Sequence, residues 1–201
     1  MKPFNSITEA ISYNEKNNHD NNMAPIDGVV ISTPTFTHEK LIQESANHGL
    51  SIFTEKPVDE TASKINQLFD YCTERNSKLC CSFQRRFDDS YVATKEAIDN
   101  GAIGRPLTAR IFFGDHPSPP PEFLLSGGNI FMDLSAHDID YIRWCLNDDI
   151  KSVYAVGSSS NDMLKSAGVH DNATLMLHFK KGMMHFIPPN TKFYFIFFSK
   201  Y

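Results

Sequence analysis

Three short apolar runs, separated by two segments of helical period, constrain this chain more than anything else in it. "IDGVVISTPT" (26–35), "SIFTEKP" (51–57) and "KLCCSF" (78–83) read as strands, the first as a buried parallel strand closed by Pro34. Between them, "THEKLIQESANHGL" (37–50) and "DETASKINQLFDYCTERN" (59–76) read as helices. Thr37 is the expected N-cap of the first helix and Gly49 its stop. Ile65, Phe69 and Cys72 are the expected apolar side of the second. The alternation predicts a parallel sheet with covering helices.

In such sheets ligands gather at the carboxyl ends of the strands. Three polar clusters fall there: Ser32, Thr33 and Pro34; Glu55, Lys56 and Pro57; Gln84, Arg85 and Arg86. Pro57 restricts Lys56 to an extended backbone, which fixes its direction. A lysine held half out of water can share or pass a proton. A plain Glu55–Lys56 surface pair fits the same pattern.

The character changes near residue 87. "DDSYVATKEAIDNGAIG" (88–104) reads as a helix and "PLTARIFFGD" (106–115) as a strand. "HPSPPPEFLLSGGN" (116–129) reads as a proline-rich loop ending in Gly127-Gly128, where the chain could approach a ligand closely. A helix over 132–144 and strands over 151–159 and 172–182 follow. Residues 1–22 are polar and read as a solvated loop or frayed start, with His19 and Asp20 as weak metal candidates. The tail 186–201 carries five phenylalanines and reads either as a sheet strand or as a segment foreign to the fold. The division is 1–86 as an α/β domain with a parallel sheet and 87–201 as an α+β domain.

Within "MDLSAHDIDYIRW", Asp133, His137 and Asp140 stand at i, i+4 and i+7, one column on a helix. Ile139, Ile142 and Leu146 would form the buried stripe opposite. A solvated polar face explains the column, and so does a proton-handling site, since histidine gives and takes protons near neutral pH. Asp140 would accept from a substrate hydroxyl. A metal site is a third option; with no further His or Cys cluster nearby, none is assigned.

A net charge of -5 and scattered Lys and Arg give no basic footprint for nucleic acid. No apolar run reaches membrane-spanning length, and the start lacks the apolar core of a signal peptide. Four cysteines without a C-x-x-C read as reduced thiols in the cytoplasm.

"VVISTPTFTHEKLIQESANHGLSIFTEKPV", "SFQRRFDDSYVATKEAIDNGAIGRP" and "SGGNIFMDLSAHDIDYIRW" together resemble the glucose–fructose oxidoreductase / inositol dehydrogenase / MocA family, and within it the inositol 2-dehydrogenases. The likeness covers about residues 24–182. It implies a Rossmann domain followed by an α+β domain with an open, mostly antiparallel sheet, through which homo-oligomers form. It implies an oxidoreductase that moves a hydride from a cyclic polyol or sugar to NAD, with NADP left open. The family's catalytic residues fall on Lys56, Asp133 and His137, and a substrate-binding position falls on Asp140. Thr33, Pro34, His38, Glu55, Lys56 and Arg85 fall at cofactor-contacting positions. In the implied mechanism His137 takes the hydroxyl proton, Lys56 polarises the same oxygen and Asp133 holds the imidazole. "MKPFNSITEAI" resembles the family helix just before the retained strands, and no G-x-G-x-x-G occurs in the 201 residues. The expectation is therefore a Rossmann domain without its first half, in a chain shortened at both ends. The alternative is a family relic that acts as a binding or assembly subunit.

Overall fold

The structure is a computed structural model; it describes residues 2–21, 24–112, 119–125, 130–181, 184–187 and 197–198. The chain divides into two compact units, Met1–Ser82 and Phe83–Tyr201. The turn that carries Arg85 and Arg86 thus groups with the second unit.

The first unit holds α1 (Ile7–Asn21), β1 (Gly28–Ile31), α2 (His38–Asn47), β2 (Ser51–Thr54), α3 (Ala62–Glu74) and β3 (Leu79–Cys81). The sheet order is β1-β2-β3 and both pairings are parallel, as the alternation requires. Its core is Ile31, Ile42, Ala46, Ile52, Val58, Leu68 and Cys72, sandwiched between one face of the sheet and helices α2 and α3. Gly49 ends α2 with φ at +70°, a left-handed conformation that glycine adopts without the steric cost of a Cβ. Thr61 caps α3 by accepting from the Lys64 N–H.

Four expectations need correction here. Residues 7–21 form a helix, fastened to α2 where Glu44 accepts from both the N–H and the hydroxyl of Thr8. Thr37 does not cap α2 with its side chain; its hydroxyl donates to the Pro34 carbonyl at 2.7 Å within a 3-10 turn. Leu68, not Phe69, is the buried partner of Cys72 on α3. Finally, β1 is covered on one face only. Val30, Phe53 and Cys80 stand in register across the three strands, and all three are exposed. A parallel strand in such folds is normally covered on both faces.

The second unit holds α4 (Asp89–Asp99), β4 (Thr108–Arg110), α5 (Pro121–Leu125), α6 (Ile130–Asp133), α7 (Ser135–Leu146), β5 (Ile150–Ser158), α8 (Asp162–Ser166), β6 (Asn172–Phe179), β7 (Met184–Ile187) and β8 (Phe197–Phe198). The sheet runs β5-β6-β7-β4-β8, with β4-β7 parallel and the other pairings antiparallel. It is the open, mostly antiparallel sheet expected. Two pieces of the tail, β7 and β8, belong to it.

Alternate residues of β6 (Ala173, Leu175, Leu177 and Phe179) are buried and pack with Tyr141, Ile142 and Cys145 of α7. The other face shows Tyr154, Val156 and Met176. Two short helices, α5 and α8, stand where no helix was expected. Gly127-Gly128, and the side chains of His19 and Asp20, lie outside the described residues.

Candidate active site

In the first unit, β1 and β2 deliver their carboxyl ends side by side, continued by the Glu55 N–H donating to the Ile31 carbonyl at 2.9 Å. Beyond β1, the Thr37 hydroxyl spends its proton on Pro34, so Thr33 Oγ1, 2.6 Å away, donates to Thr37. Thr33 keeps its lone pairs for another donor. Thr33, Pro34 and Glu55 are exposed along this edge, while Lys56 and Pro57 are half-buried. The Lys56–Pro57 bond is cis. His38 differs from its expected role. It is buried, and both ring nitrogens lie on backbone carbonyls, so it meets the edge through its neighbours rather than through a surface of its own.

In the second unit, Asp133 ends α6 and His137 lies in the first turn of α7, with Leu134 between the helices. The expected single helix is therefore two, joined through bonds from the Leu134 N–H to Ile130 and from the His137 N–H to Leu134, both 3.2 Å. The buried stripe is also not the expected one. It is Ser135, Asp138, Tyr141, Ile142 and Cys145, while Ile139 and Leu146 are half-buried. His137 and Asp133 are half-buried beside it. The Phe83 ring meets the His137 ring edge-on, centroids 6.3 Å apart.

Two arginines next to each other in the 3-10 turn Gln84–Phe87 hold α7. Arg85 pairs with buried Asp138. Arg86 forks onto Asp140, with Nε at 2.9 Å from one oxygen and a terminal nitrogen at 2.6 Å from the other. Burial pushes the Asp138 carboxyl up, and the Arg85 guanidinium opposes that rise. Asp140 thus carries a cation and retains lone pairs for a further donor. Arg85, expected at the cofactor, spends its guanidinium in the interior. Sequence reasoning missed Asp138 altogether. The signal was available: Asp138, Tyr141, Ile142 and Cys145 follow an i, i+3, i+4, i+7 pattern.

A cleft of about 650 Å³ opens elsewhere in this unit, lined by Arg86, Lys95, Arg143, Trp144 and Lys180 among others. Neither Asp133 nor His137 lines it. Among the described residues no group of three His, Cys, Asp or Glu could hold a metal ion. Among them, too, no helix is long and apolar enough to cross a membrane. All four cysteines are thiols.

Residues 3–83 match the oxidoreductase family with an NAD-binding Rossmann fold, and residues 91–188 match the GFO/IDH/MocA C-terminal domain. An inositol 2-dehydrogenase of Rhizobium meliloti (strain 1021) is 36% identical over 160 residues, 79% of this chain and 48% of the relative. The scyllo-inositol 2-dehydrogenase (NAD(+)) of Bacillus subtilis (strain 168) is 36% identical over 158 residues, 78% of this chain and 46% of the relative. The structure of scyllo-inositol dehydrogenase from Lactobacillus casei, with bound cofactor NAD(H) and scyllo-inositol, superposes with a TM-score of 0.75 at 27% identity. That superposition covers 94% of this chain and 58% of the other. The chain spans about half the length of the curated relatives it matches.

Proposed function

Because this chain belongs to the GFO/IDH/MocA oxidoreductase family, we propose that it serves an NAD-dependent dehydrogenase of cyclic polyols or sugars. The observation that carries this reading is the pairing of sequence match and side-chain type. Lys56 stands at the carboxyl edge of the parallel sheet, and Asp133 and His137 flank the α6–α7 junction, each in a segment matched by the family.

The residues present fit one end of a dinucleotide. Thr33, Pro34 and Glu55 offer an exposed polar edge suited to a nicotinamide and its ribose. The 201 residues contain no G-x-G-x-x-G turn for the pyrophosphate. NAD, when bound, supplies the hydride acceptor; the finer preference between NAD and NADP falls outside this edge.

In this reading His137 takes the proton of a ring hydroxyl. General-base help of this kind is worth about 10²–10⁴ in rate. Asp133 orients the imidazole, and Lys56 donates to the same oxygen as it becomes a carbonyl. Asp140, held by Arg86, accepts from a neighbouring hydroxyl of the polyol. The face bearing Tyr154, Val156 and Met176 supports self-association through the second sheet. The setting is cytoplasmic.

The test is NAD(H) binding to the full chain by calorimetry, followed by turnover of myo-inositol. Saturable binding, with turnover lost at least about a hundredfold in Lys56→Ala and His137→Ala, supports the reading. No binding at millimolar cofactor overturns it in favour of a non-catalytic binding or assembly subunit.

A further inference from the structure

His38 opens α2 and is 1% exposed. Its Nδ1 lies 3.0 Å from the carbonyl oxygen of Pro57, and its Nε2 lies 2.8 Å from the carbonyl oxygen of Thr33. Both partners are acceptors, and each lies within hydrogen-bonding distance of one ring nitrogen. The two carbonyls belong to the turns that leave β1 and β2, and Pro57 directly follows Lys56.

We propose that His38 is a positioning residue: its ring, lodged between a carbonyl of the turn after β1 and a carbonyl of the turn after β2, ties the two turns together and so sets where Lys56 stands. The functional weight of this proposal rests on the reading of Lys56 as the amine of a dehydrogenase. Its structural content does not. On the elements that meet the ring, the charged groups are Glu39, Lys40 and Glu44 of α2, and Glu55, Lys56, Asp59 and Glu60 after β2. Three of the carboxylates have other partners. Glu39 is bonded to Lys64 at 2.7 Å, Glu44 to Thr8, and Asp59 accepts from the Thr61 N–H at 3.3 Å. None of them replaces either carbonyl contact.

Buried donors to charged or polar partners hold local structure in proportion to what their loss leaves unsatisfied. Removing this ring takes away the group that stands between two carbonyls on two different turns. A side chain that merely filled space would instead weaken the whole unit evenly.

The experiment is amide hydrogen exchange in the full chain, unmodified and with His38 replaced. In His38→Leu, amide exchange should accelerate at least about tenfold at Thr37 and Glu55, whose N–H groups bond within these turns. The Ile52 N–H, bonded to Lys78, should hold its rate. Even acceleration at all three sites, or none, overturns the proposal. His38→Gln should recover part of the protection. Should His38→Leu fail to fold, exchange in His38→Gln decides alone: faster exchange at Thr37 and Glu55 with Ile52 unchanged supports the tie, and even change or none overturns it. Local protection by His38 in a chain that turns over no polyol would sink the dehydrogenase reading and leave the tie intact.

Discussion

Asp138 lies against Arg85 in the interior of the second unit, with side chains 3% and 10% exposed. The neighbouring pair, Arg86 with Asp140, is 42% and 12% exposed. Two consecutive arginines thus grip one helix at different depths, and the depth decides what each grip is worth.

Breaking the deep pair leaves a charge buried without compensation, which costs about 3–5 kcal/mol. Arg85→Ala and Asp138→Ala should each lose about that much stability in urea denaturation. The double replacement Arg85→Met, Asp138→Leu should recover most of it, because well-packed apolar residues of similar volume replace buried ion pairs at little cost. Arg86→Ala should cost less, about 1 kcal/mol, since the Arg86 side chain keeps 42% of its surface in water.

The deep pair also predicts a pH dependence. Burial raises the Asp138 carboxyl, and Arg85 restrains the rise. A group whose folded value stands above its unfolded value contributes stability below the unfolded value and loses it as pH climbs through the folded one. Arg85→Met removes the restraint. The variant should therefore stand nearest the parent at acid pH and fall behind it as the solution is brought to neutrality. Parallel denaturation curves across that range check the sign.

The four thiols should separate by reactivity. Cys80 is exposed, Cys81 half-buried, and Cys72 and Cys145 are buried. Burial pushes the Cys145 thiol up to about 11 and raises that of Cys72 as well. Only thiolates react readily. With a chromogenic disulfide at pH 8, Cys80 should react first, and Cys72 and Cys145 only after unfolding. Mass mapping of the labelled peptides reads the order.

Gly157 sits on β5 where the His170 ring crosses it: a Cβ there would stand 2.5 Å from the ring's Cδ2. His170 in turn packs edge-on against Phe131, one turn before the Asp133–His137 junction. Gly157→Ala should cost about 1–3 kcal/mol by overpacking. It should also shift the Phe131 resonances in NMR spectra, while Gly28→Ala in the first unit, where a Cβ would meet nothing nearer than 3.4 Å, should not.

The β-α-β-α-β order could be read from the sequence because each apolar run was short and bounded by glycine, proline or a polar helix. Which face of that sheet is bare could not. A four-residue run such as Gly28–Ile31 looks the same whether Val30 meets a helix or water. Helix α1 shows only through the resemblance of "MKPFNSITEAI" to a family helix; residue by residue it reads as a loop, because it is polar and its hold on α2 comes through Glu44, 36 residues further on. Lys56, Asp133 and His137 stood out by chemical type. Asp138 did not, because an aspartate in a charged helix reads as solvated until Arg85, more than fifty residues earlier, is seen against it. His38 was placed near the cofactor edge, yet its two carbonyl contacts come from turns that no local pattern brings together.

The row formed by Val30, Phe53 and Cys80 has a practical consequence. A wall of this kind, with Phe36 also in solvent, makes dilute and concentrated solutions behave as different materials. Purification, crystallisation trials and calorimetry all concentrate the sample, so each will probe stickiness of that wall before it probes catalysis. Swapping Val30 and Phe53 for threonines would widen the workable range without touching the interior.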